Sequence, residues 1–308
     1  MRKLYKEIHP FSKLGIVALV ALLSLIASLV IAALIAIPVF GKESFLGLMS
    51  SSIEFTAENL NLLKYLQIAQ SIGLFVLPSF LLAYLFGGRI TKYLKLNRKP
   101  FATSIILATV VVLAASPLIN LVGLWNMEMR LPHWMGGIEK WMKESEESAK
   151  YLTELFVNAE NLYGLAFNIL MIGLIPAIGE ELLFRGVIQR VLSEWFKNKH
   201  LAIWLTAIFF SALHLQFYGF LPRMLLGAMF GYLLIWSNNL WLPIVAHFIN
   251  NTVAVIAYYF YHNGIIDINP DAIGTNSEYG IAGMISLLVI VYLAWLFYSF
   301  EKKKRLEV

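Results

Sequence analysis

Residues 14–40 of this 308-residue chain contain no charged side chain. A bilayer-spanning helix needs about 20 apolar residues, so this stretch is long enough to cross. It is too long for the apolar core of a signal peptide, and no clear cleavage site follows, so it reads as an anchor that stays. Comparable stretches occur at 66–87, 101–124, 162–191, 200–217, 222–237, 241–262 and 279–299. The chain is 59% hydrophobic and 14% charged, against about 25% charge in soluble domains. A water-soluble fold could not hide that much apolar surface. The expected fold is therefore all-α, a polytopic membrane protein of about eight transmembrane helices, the fifth and sixth short and joined around Gly219 and Pro222. The chain has no cysteine, which excludes disulfides, thiolate metal ligands and a cysteine nucleophile.

The basic residues set the orientation. Arg2, Lys3, Lys6 and Lys13 precede the first segment, and Arg89, Lys92, Lys95, Arg98 and Lys99 follow the second. Arg190, Lys197 and Lys199 lie at the end of the fourth, and Lys302, Lys303, Lys304 and Arg305 follow the eighth. All sixteen fall on one side of an eight-span topology; seven Lys/Arg fall on the other, and Arg185 lies within the membrane. The positive-inside rule then puts both termini in the cytoplasm, and a prokaryotic plasma membrane is the expected location. Basic segments against anionic lipid account for the net charge of +5, so the bilayer is the expected partner and nucleic acid is not.

Two outer connections are long. Residues 41–65 and 125–160 mix acids with apolar residues; the second holds Trp125, Trp134 and Trp141 and a charged run from Lys143 to Lys150. Tryptophan at this level suits a helix lying on the interface. Residues 263–278, with Asn269, Pro270 and Gly274, read as a polar loop. Three regions follow: 1–160 with three spanning helices and interfacial helices, a core at 161–265, and 266–308 with the last helix and a basic tail. No internal repeat is evident.

An ionisable group at the bilayer centre costs at least about 2.5–3.5 kcal/mol, and such groups gather in the second half. The fourth segment holds Glu180, Glu181 and Arg185, the fifth His214, and the seventh His247 and Asn251. Glu181 and Arg185 are four apart and share a face, predicting a structural ion pair. Glu180 lies about 100° around the helix and can face a cavity. Phe210 and His214, and His247 and Asn251, repeat the spacing of four. At about 1.5 Å per residue, Glu180, His214 and Asn251 lie roughly 17, 21 and 15 Å from the basic ends of their helices. The spacing predicts one polar site between helices four, five and seven. His9, His133, His200 and His262 fall at ends or in loops; Asn120, Asn238, Asn239 and Ser211 read as packing or capping groups, and Pro176 and Gly179 as a kink.

No Ser–Lys, Gly-x-Ser-x-Gly, paired-aspartate or His-Glu-x-x-His arrangement occurs. What remains is a glutamate to take a proton from water and return it to a leaving amine, a histidine to orient that water, and a His–Asn pair to donate to a developing oxyanion. This set fits amide hydrolysis without a cofactor. Alternatively Glu180, His214 and His247 could hold Zn²⁺ with an open position for water. Two other functions fit less well: a transporter using a polar relay, which predicts inverted repeats, and a non-catalytic immunity protein of the same fold.

The motifs resemble those of the CPBP family, the type II CAAX prenyl endopeptidases and bacteriocin-processing (Abi) proteins. Glu-Glu-x-x-x-Arg matches Glu180, Glu181 and Arg185; Phe-x-x-x-His matches Phe210 and His214; His-x-x-x-Asn matches His247 and Asn251. All three occur in order, each on its own apolar segment, within about 162–262. The resemblance implies an intramembrane endopeptidase opening to the cytosolic side and cutting near the C-terminus of a membrane-associated or lipidated protein or peptide. It implies Glu180 as general base, His214 sharing its water, and His247 and Asn251 as oxyanion donors, with Glu181, Arg185 and Phe210 in support.

Overall fold

The computed structural model describes residues 8–47, 57–267, 270 and 279–307. Arg2, Lys3 and Lys6, and residues 268–269 and 271–278 of the polar loop, lie outside the described residues. The regular elements among the described residues are all helices, with no strand. The long helices are α1 (Pro10–Phe40), α2 (Asn59–Gly87), α3 (Ala102–Glu128), α4 (Gly136–Val157), α5 (Leu162–Phe196), α6 (Lys199–Ala212), α7 (Phe220–Ser237), α8 (Trp241–His262) and α9 (Tyr279–Glu307).

Seven of these stretches are long and apolar enough to cross a membrane, and α6 is not. The sequence reading expected about eight spans because it ran the fifth segment on to residue 217. The helix instead stops at Ala212 and a turn follows. At 14 residues it rises about 21 Å, short of the roughly 30 Å hydrocarbon core. The first outer connection is also shorter than expected. A short helix, Lys42–Gly47, occupies part of it, and α2 begins before residue 66.

Apolar side chains cover the outside of the bundle. On α1, Leu19, Leu22, Leu23, Ile26, Val30, Ile31 and Leu34 are exposed; on α9, Ile281, Met284, Ile285, Leu288 and Val291 are. Soluble monomers do not show contiguous apolar faces of this size; lipid is the solvent that suits them. The chain is an integral membrane protein.

The basic clusters converge on one end. Lys13 pairs with Glu194 at 2.8 Å. Arg190 stacks on the Tyr93 ring at 4.0 Å and donates to the Tyr93 carbonyl. The 88–101 loop is stitched to the α7–α8 turn by Leu240 N–H to the Lys95 carbonyl and Asn239 Nδ2 to the Arg98 carbonyl. Arg305 donates to the Trp236 carbonyl. Burial, then Arg190, Lys199 and Arg305, push the Lys95 ammonium down to about 8. A cleft of about 820 Å³ at this end is lined by Lys13, Arg89, Lys92, Tyr93, Arg190 and Glu194 and contains none of the motif residues.

The opposite end carries α4 and the 213–219 turn. Asn126, at the end of α3, donates to the Phe217 carbonyl and accepts from Leu221 N–H. Tyr218 N–H donates to Glu146 of α4 at 3.2 Å, and Trp141 of α4 packs on Phe217 with ring centroids 5.1 Å apart. α4 is a helix within the expected 125–160 connection, and it meets the short α6–α7 hairpin.

Candidate active site

The site begins with an irregularity in α5. This helix carries two π-helical segments, Ile169–Leu174 and Glu181–Ile188, with Pro176 and Glu180 between them. A π segment shifts the angular register of every residue beyond it, and such bulges concentrate at functional sites. Gly179 serves close packing more than a kink, since a Cβ there would stand 2.9 Å from Phe75 Cβ of α2.

Glu181 and Arg185 form the buried ion pair that their spacing predicted, at 2.8 Å with both side chains at 0% exposure. Arg185 also donates to the Gly227 carbonyl of α7 at 3.0 Å. Its guanidinium lies over Phe210 at 4.7 Å and faces Phe230 at 5.6 Å. The approach depends on Gly227, where a Cβ would sit 3.1 Å from Arg185 Nη2 and 3.3 Å from the Phe210 ring. One carboxylate oxygen of Glu181 serves both Arg185 and His247, whose Nδ1 lies 3.0 Å away. This oxygen can only accept, so His247 Nδ1 donates to it, and Nε2 lies 3.9 Å from Glu180 Oε2. Phe230 stacks on the His247 ring at 5.1 Å.

A cavity of about 310 Å³ is lined by Glu180, Phe210, His214, Gly219, Pro222, Arg223, Leu226, Phe230, His247, Asn250 and Asn251. The four residues singled out in the sequence as acid–base or donor groups, Glu180, His214, His247 and Asn251, all reach it. His214 sits in the turn just past α6 rather than within a spanning helix. Its Nδ1 lies 2.9 Å from the Phe210 carbonyl, which fixes the proton there and leaves Nε2 as an acceptor. Asn251 Nδ2 donates to the Ile172 carbonyl in the first π segment at 3.1 Å, and its Oδ1 accepts from Asn250 at 3.2 Å. Glu181 and Arg185 lie beneath the cavity and hold its floor.

Arg223 and Asn250 were not singled out in the sequence. Arg223 donates to Gln216 Oε1 at 2.6 Å, and no carboxylate lies within 4.0 Å of it among the described residues. The signal that marked Arg185, an ionisable group in an apolar helix, marks Arg223 equally. The expected segment 222–237 puts Arg223 one residue from its end, where a charge is unexceptional.

The cavity's lining on α7 runs from Pro222 to Phe230, the half of the helix next to the 217–219 turn.

Residues 162–253 match a known family, described as type II CAAX prenyl endopeptidase Rce1-like. The segment bearing the three motifs is an Rce1-like domain, consistent with the CAAX/Abi family suggested by the motifs. The chain is also 30% identical over 99 residues to "Uncharacterized protein YpbD" of Bacillus subtilis (strain 168). That match covers 31% of this chain and 48% of the relative, so the chain spans about half the length of the curated relative it matches. No solved structure matches the chain. What the chain carries is thus a membrane-embedded domain of the CAAX protease kind.

Proposed function

We propose that the protein is an intramembrane endopeptidase that uses water activated by Glu180 to hydrolyse a peptide bond near the C-terminus of a membrane-associated or lipidated protein or peptide. The observation that carries this reading is the meeting of Glu180, His214, His247 and Asn251 in one cavity, of a size that suits a small ligand or short peptide segment. Glu180 takes a proton from water as its oxygen attacks the carbonyl carbon. His214 Nε2 accepts a hydrogen bond from the same water, because its Nδ1 proton is committed to Phe210. Negative charge builds on the carbonyl oxygen, where a protonated His247 Nε2 and the second Asn251 amide hydrogen supply donors. Glu181, held by Arg185, orients His247. The C–N bond then breaks and the Glu180 proton goes to the departing amine.

Zinc held by Glu180, His214 and His247 is the competing chemistry. Among the described residues no three His, Asp or Glu side chains are grouped as a metal site. Asn251, a poor zinc ligand, lines the cavity as a donor would. The donor set fits direct water attack better than a three-ligand zinc centre, and no cofactor is required in this reading.

The test is to incubate purified protein with a peptide library, with and without chelator, beside Glu180→Gln. The expected result is cleavage by the wild type that survives chelation. Glu180→Gln should lower turnover by about 10²–10⁴-fold while remaining folded, because the amide is nearly isosteric but takes no proton. Full activity in Glu180→Gln overturns the assignment. One tightly bound zinc per active molecule, seen by elemental analysis and lost in His247→Ala, overturns the metal-free mechanism. An intact wild type that cleaves nothing favours a non-catalytic protein of this fold.

A further inference from the structure

The two ends of the molecule differ in charge as well as in structure. The end with Lys13, the 88–101 loop, Arg190, Lys197, Lys199 and the C-terminal basic run is strongly positive. The end with α4 carries Glu128, Glu139, Glu144, Glu146, Glu147, Glu154 and Glu160 against Arg130, Lys140, Lys143 and Lys150, and is net negative. The asymmetry of Lys and Arg near membrane helix ends puts the first end in the cytoplasm.

The cavity's lining then decides which side it faces. α6 and α7 both have one end on the basic side, at Lys199 and Ser237. The turn between them lies at the opposite end, level with Asn126 near the end of α3, which donates to the Phe217 carbonyl and accepts from Leu221 N–H. His214, Gly219, Pro222 and Arg223 line the cavity at that turn, with His214 exposed, while Glu180 and His247 are buried. Trp141 and Glu146 of α4 meet Phe217 and Tyr218 there.

We propose that the cavity opens to the extracytoplasmic side of the membrane and admits peptide segments presented from there, past the rim formed by α4 and the 213–219 turn. The site would then serve chains already carried across or anchored in the outer leaflet, in place of cytosolic tails. The choice of substrate side rests on the peptidase reading; the direction of the mouth does not.

Because the chain has no cysteine, single cysteines report each side separately. Trp134→Cys marks the α4 end, Leu306→Cys the basic end, and Pro222→Cys the cavity rim, with Leu226→Cys as a second cavity position if Pro222→Cys does not fold. In intact cells a membrane-impermeant maleimide should label Trp134→Cys and the cavity position, and Leu306→Cys only after permeabilisation. Labelling of Leu306→Cys in intact cells overturns the proposal. So does a cavity cysteine that reacts only after permeabilisation, or in neither state. Right-side-out and inverted vesicles are then given a quenched fluorescent peptide library. Cleavage by right-side-out vesicles is expected, and cleavage by inverted vesicles alone overturns the substrate side. A protein labelled as expected that cleaves nothing even in detergent removes the peptidase reading and keeps the mouth.

Discussion

The floor of the cavity holds a buried arginine and its mouth a partly buried one, and the two are treated differently. Arg185 in the floor has a carboxylate at 2.8 Å, a backbone carbonyl at 3.0 Å and aromatic rings alongside. Arg223 near the mouth has only Gln216 and no carboxylate partner within 4.0 Å among the described residues. A charge at 0% exposure, paired to a carboxylate within the protein, is out of a substrate's reach. A charge held by a neutral amide remains available. The comparison teaches that motif membership and chemical availability are separate properties: Arg185 belongs to a motif and is spent on the fold, while Arg223 belongs to none and faces the cavity.

The largest effect should come from breaking the floor. Arg185→Ala leaves Glu181 ionised and buried without its cation, and breaking such a pair costs about 3–5 kcal/mol. Expression and thermal stability should both fall, and Gly227→Leu should fall with them because it closes the space the guanidinium occupies. A stable, folded Arg185→Ala lacking activity would move Arg185 from the scaffold into the chemistry.

Next come the donors between floor and mouth. His247→Ala and Asn251→Ala should each reduce kcat by about 10²–10³-fold without altering bound metal. Their thermal stabilities should differ. His247 is tied to Glu181 in the floor and its loss also unbalances that carboxylate, whereas Asn251 bonds one backbone carbonyl. Equal kcat losses with unequal melting temperatures would support this assignment. A normal kcat in Asn251→Ala would remove it from the reaction.

The floor was legible in the sequence and the mouth was not. Glu181 and Arg185 are related by helical spacing alone, and a charge in an apolar segment demands a partner, so position and chemistry gave one answer. Glu180 could be turned away from them by the same geometry. Hydropathy gave the long helices because lipid imposes a length on them. It failed at residues 213–219, where apolar composition continues past the point at which the helix stops. Leu213, Leu215, Phe217 and Phe220 carry the pattern of a span, but the backbone turns. Arg223 escaped for another reason: it stands at the start of the next apolar segment, where a charge is unexceptional. Nor did the π segments of α5 have a distinct signal in the sequence.

A smaller effect is expected at the mouth itself. If Arg223 meets an anionic or carbonyl group of the substrate, Arg223→Ala should lose a charge-assisted hydrogen bond of about 1.5–3 kcal/mol. This should raise KM by about 10–100-fold with a smaller change in kcat, and Arg223→Lys should recover part of it. A loss confined to kcat would place Arg223 beside the reacting atoms. Unchanged kinetics would leave it as a packing residue of the hairpin.

The smallest effect belongs to α4, which meets the hairpin through few contacts. Trp141 packs on Phe217 at 5.1 Å while remaining half-exposed, and Glu146 accepts one backbone hydrogen bond from Tyr218. An aromatic pair of this kind is worth about 0.5–1.5 kcal/mol beyond its buried area, too little to hold the fold and enough to bias a rim between positions. Trp141→Ala should therefore leave the melting temperature almost unchanged and raise the maleimide labelling rate of Pro222→Cys by about two- to tenfold, the same energy expressed as a population of the open rim. The floor offers the control, because Trp141→Ala should not alter the stability loss in Arg185→Ala if the two regions are energetically separate. A large fall in stability with no change in labelling would make α4 a brace for the bundle and deny it any part in admitting substrate.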